Sequence, residues 1–106
     1  MTTIYASYYP AIQSGEIDLM NVNFSALVVD SSYLVDETHT KDDVDGRVET
    51  LSEILVGGDI STLSMGEITE KVLEQVLDDD KGKVAGFVVY DIRTNELCFF
   101  ETIENW

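Results

Sequence analysis

The run THTKDDVDG, Thr38 to Gly46, places the chain's single histidine, His39, between two threonines and just ahead of Asp42, Asp43 and Asp45. Imidazole, hydroxyl and carboxylate groups in one short stretch are the raw material for general acid–base catalysis, for metal ligation or for a hydrogen-bonded loop. Zinc requires three or four His, Cys or carboxylate ligands at defined spacing, whereas the one His and the one Cys, Cys98, stand far apart. A Ser-His-Asp triad requires a strained nucleophile turn, and no G-x-S-x-G pattern occurs. Calcium fares little better. Setting Gly46 at the sixth place of an EF-hand loop puts Lys41 first and Ser52 twelfth, with Glu53 one place late. The consecutive Asp78, Asp79 and Asp80 point in different directions at a helix end, and Gly57-Gly58 is followed by Asp59 rather than by the lysine of a phosphate loop. The reading is therefore a structural loop of Thr38, His39, Thr40 and Asp43. In it the imidazole donates to a nearby carboxylate and the threonine hydroxyls bond backbone amides. No catalytic residue, metal ligand or cofactor site is expected, and the chain is not read as an enzyme.

Composition narrows the partners. A chain of 106 residues, 44% of them hydrophobic, fits one folded domain spanning residues 1–106. Six Lys and Arg against 21 Asp and Glu give a net charge of −15, which disfavours direct contact with nucleic acid. Such a surface suits a basic protein, divalent cations, or a protein whose DNA is being mimicked. Cys98 lies in the apolar run LCFF and reads as a buried small hydrophobe. The first residues lack a basic start and an apolar core, so a signal peptide is not predicted and synthesis in the cytoplasm is expected. No stretch approaches the roughly 18 apolar residues of a membrane span.

The elements that must position these residues follow from spacing. Ile4, Tyr5, Tyr8, Tyr9 and Ile12 suggest a short amphipathic helix within residues 3–14, interrupted by Pro10 and left through Gly15. Residues 22–30, VNFSALVVD, read as a strand whose second half is apolar on both sides. The His39 loop follows, with Tyr33, Leu34 and Val35 as anchors and too much Asp, Ser and Thr for regular structure. Residues 47–56 fit a strand or a helix equally by period. Ser64 and Glu67 form a capping box that opens a helix over residues 65–79, with Ile68, Val72, Leu73, Val76 and Leu77 on one stripe. That helix would end unfavourably on Asp78, Asp79 and Asp80. Val84 to Tyr90 and Leu97 to Thr102 read as a β-hairpin. The expected fold class is α+β: a small β-sheet, sandwich or half-barrel, with a C-terminal hairpin and one amphipathic helix packed on it.

The order of these features resembles a family of small virion structural proteins of tailed bacteriophages. The family's Thr-His and Asp-Val loop is similar to Thr38, His39, Asp43 and Val44, and its "VIYD" hairpin is similar to Val88, Val89, Tyr90 and Asp91 with Phe99 and Phe100. The likeness covers about two thirds of the chain. Thr40 and Lys41 stand where the family usually has an aromatic, a helix replaces a glycine-rich middle, and TIENW replaces the final glycine-containing tail. The resemblance implies a capsid decoration or cement protein that binds and stabilises the head shell, or else a tail or connector subunit. Its implied place is the virion, its implied partners the major capsid protein or other virion subunits, and its implied state a homo-oligomer within the assembly. Tyr5, Tyr8, Tyr9 and Trp106 are then candidate interface anchors, with ordinary packing as the equal alternative. A second class is an acidic DNA mimic or inhibitor of a basic nucleic-acid-binding protein, presenting Glu67, Glu70 and Glu74 along one helix face.

Overall fold

The stretch FSALVVD forms the strand with neighbours on both sides, as its two-sided apolar pattern requires. A computed structural model describes residues 2–15, 23–46, 50–57 and 63–103. Its elements are β1 (Thr2–Ile4), α1 (Tyr8–Ser14), β2 (Phe24–Asp30), α2 (Lys41–Asp45), β3 (Thr50–Gly57), α3 (Met65–Leu73), β4 (Val84–Asp91) and β5 (Leu97–Thr102). One antiparallel sheet runs in the order β1-β5-β4-β2-β3. Six of the seven residues of β2 are buried, so neither face of the sheet meets water there.

Alternate side chains feed two cores. Phe24, Ala26 and Val28 of β2 join Phe87 and Val89 of β4 beneath Ala11 of α1 and Ile68 and Val72 of α3. Leu27 and Val29 join Val88, Tyr90, Leu97 and Phe100 on the opposite face, where Tyr33, Val35 and Val44 cover them. The second layer is thus the His39 segment itself. The α+β class and the hairpin are as expected, and the sheet is open. Among the described residues no second sheet completes a sandwich, because Tyr33, Val35 and, from α2, Val44 already shield that face, while Leu34, expected as a third loop anchor, is 78% exposed.

Local chemistry explains the boundaries. Pro10 sits in the first turn of α1, where its missing N–H has no helical partner to lose. Gly15 ends that helix in the left-handed region at φ 82° and donates to the Ile12 carbonyl. Thr3 and Ile4, read as the start of a helix, instead belong to β1 and pair with β5. The segment from Thr50 onward is a strand, with Gly57 at φ 117°. The Ser64–Glu67 capping box forms as read, with the Glu67 amide donating to Ser64 Oγ at 3.2 Å. The helix it opens is shorter than the expected 65–79. It ends at Leu73: the Glu74 amide still bonds the Glu70 carbonyl, and the amides of Gln75 and Val76 turn back to carbonyls three residues earlier. Val76 stays buried while Leu77 is 68% exposed, so the expected stripe loses its last member. Asp78, Asp79 and Asp80 therefore lie beyond the negative pole of α3, and Lys81 pairs with Asp78 at 3.0 Å.

Candidate functional site

Three carboxylates each fold the chain back on itself. Asp30 Oδ1 accepts from the Ser32 amide at 2.9 Å and the Ser32 hydroxyl at 2.5 Å, and these bonds hold the Asp30 carboxyl below its ordinary range. Asp36 Oδ1 accepts from the Thr38 amide at 2.9 Å and its hydroxyl at 2.7 Å. Asp43 Oδ2 accepts from the Thr40 amide at 2.9 Å and its hydroxyl at 3.1 Å, closing the first turn of α2. The Thr38 hydroxyl thus bonds a carboxylate rather than the amide expected for it, while Thr40 joins the Asp43 carboxylate and backbone amide in a capping box. A carboxylate offers about four acceptor sites and serves amide and hydroxyl together.

The imidazole is placed by tyrosines. Tyr33 Oη lies 3.1 Å from His39 Nδ1 and 2.9 Å from Tyr5 Oη. A hydroxyl therefore stands at Nδ1. Tyr5 and Tyr33 are buried and His39 is half-buried, so this chain leads from the sheet's second core toward the surface. The Ala6 amide, just beyond β1, donates to Glu37 O at 2.8 Å, and within the segment the His39 amide donates to Asp36 O at 2.9 Å. Val44, fully buried, anchors the far end, and Thr50 Oγ1 donates to its carbonyl at 2.7 Å.

A cleft of about 530 Å³ opens beside this structure, where Glu37, Thr38, His39 and Asp42 face Asn95 and Glu96. The calcium register fails for a conformational reason as well as a compositional one. Asp42, Asp43 and Asp45 belong to a helix, Asp43 is committed to Thr40, and Asp45 pairs with Lys41 at 3.0 Å. Among the described residues no three His, Cys, Asp or Glu side chains are grouped to hold an ion. Lys41 also lies 4.9 Å from the centre of the Tyr90 ring, whose hydroxyl donates to Glu53. Burial first, and then that carboxylate, push the Tyr90 phenol well above its ordinary value.

Thr38 and His39 lie in the loop ahead of α2, Thr40 caps that helix and Asp43 lies within it, and the candidate anchors differ in burial. Tyr5 is 1% exposed and belongs to the core, which removes it from the candidate interface. Tyr8 is half-buried, and Tyr9, at 60% exposed, meets it edge to face with ring centres 5.3 Å apart. Trp106 lies outside the described residues. Sequence reading missed Tyr33 as the partner of His39 and Asp36 as the acceptor for Thr38. The Asp36-x-Thr38 spacing of a side-chain turn was the available signal for the latter. It also missed Asp91, wholly buried, whose Oδ1 accepts the Arg93 amide at 2.8 Å. Cys98 is buried as read, with its thiol pushed up by that burial and by Asp91 and Glu96. Comparison with protein-family models, with curated proteins and with solved structures finds no match to this chain.

Proposed function

We propose that the chain is a non-enzymatic structural subunit of a tailed-phage virion, a decoration or cement protein that binds the head shell through its major capsid protein. One observation carries this reading. The two separate segments that bear the family likeness pack as a single unit, with Val44 in one core with Val88, Tyr90 and Phe100. Tyr33 joins them, its ring centre 5.6 Å from that of Phe100. The loop's polar groups are spent on bonds within the segment and its apolar residues on the hairpin, which is what a passive tile needs and what a turnover site does not. Many weak contacts repeated over a symmetric shell then supply the affinity.

Mass spectrometry of virions from a phage that encodes the chain tests this. Many copies per particle are expected, and purified chain added to undecorated heads should raise their resistance to heat. Absence from particles refutes the reading. The acidic-mimic reading draws on Glu67, Glu70 and Glu74, all exposed along α3 and its C-terminal cap. It predicts instead a complex with a basic nucleic-acid-binding protein that dissolves as salt rises.

A further inference from the structure

β3 is the outermost strand on its side of the sheet: β2 pairs with its inner side, and no described strand pairs with its outer side. Gln75 Nε2 donates to the Leu55 carbonyl at 2.9 Å, so that carbonyl faces away from β2. In an extended strand a residue's N–H and C=O point to the same side, and the direction alternates along the chain. Leu55 and Glu53 therefore direct their amides outward, while Ile54 and Ser52 face Ala26 and Val28. The register is regular from Ser52 to Leu55, with irregularities only toward the two ends of the strand. Residues 50–57 contain neither proline nor lysine, the usual guards of an exposed edge. The Gln75 side chain is the one described group bonded to the outward carbonyl of Leu55.

Side chains complete the pattern. Glu53 and Leu55 lie on one face of the sheet and both are exposed, Leu55 at 57%. A strand laid along this edge would set every second residue on that face, one beside Glu53 and the next beside Leu55. The charge of −15 selects a cationic occupant and repels a second copy of the chain. We infer that the β3 edge receives an extended, basic segment of a partner protein by strand addition, with a cationic residue beside Glu53 and an apolar one beside Leu55. The inference rests on the proposed assembly role and specifies the part of the shell protein that docks.

The probe is a nine-residue peptide in which arginine and valine alternate with threonine, titrated into the full chain and followed by backbone amide exchange. Slowed exchange at Glu53 and Leu55 is expected, with at least tenfold weaker binding of a peptide carrying glutamate for arginine. Leu55→Pro removes an outward N–H at an edge position that tolerates proline, and should weaken binding at least tenfold. Should that variant not fold, Glu53→Gln keeps an acceptor for Tyr90 and should abolish the preference for arginine over glutamate. Equal binding by Leu55→Pro, equal affinity for both peptides with the native chain, or a dimer of the chain that Leu55→Pro dissolves would each overturn the inference. Packaging of Leu55→Pro into virions at the native level sinks the edge alone. Absence of the native chain from virions sinks the assembly role, and the peptide titration then judges the edge by itself.

Discussion

Tyr33 sits between two groups that could not otherwise meet, the phenol of Tyr5 in the core and the half-buried ring of His39. Its hydroxyl both donates and accepts, so it can relay one bond into the next. Tyr33→Phe removes both bonds without changing the ring's packing, and is expected to cost about 1–3 kcal/mol. His39→Ala removes one of them and should cost about 1 kcal/mol, lowering the melting temperature by about 4–8 °C in calorimetry. An unchanged melting temperature for both variants would remove the pinning role. Cys98 carries a pH prediction. Its thiol is raised from an ordinary value of 9.0 in the folded chain, so the unfolded chain gives up the proton first. Stability from this group is complete below about pH 9 and falls as pH rises further, and Cys98→Ala should flatten that alkaline slope in denaturant titrations. The turns of the His39 segment were legible in its Asp, Ser and Thr residues. Its partners were not, because a contact between Tyr5 and Tyr33 depends on strand order rather than on neighbouring letters.

Elements with a complete local signal formed where read. The hairpin of β4 and β5 has two apolar runs, an Asp91 side chain bonded to the Arg93 amide, and Asn95 in the left-handed region at φ 62°. The capping box of α3 likewise needed only Ser64 and Glu67, and Ser64→Ala should cost about 1 kcal/mol in thermal unfolding. The helix's length was less legible, since periodicity continues to Leu77 while packing against the sheet stops sooner. β1 offers three residues, too few for any period, and exists because β5 supplies a partner. α2 was hidden in a polar loop, yet Thr40 and Asp43 cap it and Val44 buries it. Gly86 on β4 lies close under the Glu101 backbone and the Phe100 ring. A Cβ there would lie 2.5 Å from the Glu101 carbonyl oxygen and 2.7 Å from the Phe100 ring. Gly86→Ala is therefore expected to cost about 1–3 kcal/mol, measured as a shifted denaturant midpoint with unchanged slope.

At the scale of the molecule, one sheet carries two dissimilar covers, helices on one side and a stitched loop on the other. Excess negative charge opposes this arrangement through self-repulsion. Raising ionic strength from about 0.01 M to about 0.1 M shortens the screening length from about 30 Å to about 10 Å, so the melting temperature should rise over that range. A flat or falling response would show that attractive pairs such as Lys41 with Asp45 outweigh the repulsion. The strand order has a last consequence. β1 precedes the other described strands along the chain yet finds its neighbour only in β5, and β2 reaches β5 only through β4. On the ribosome, then, the growing polypeptide can close a β2–β3 ribbon early but must wait for residues 84–102 to emerge before the sheet can zip shut.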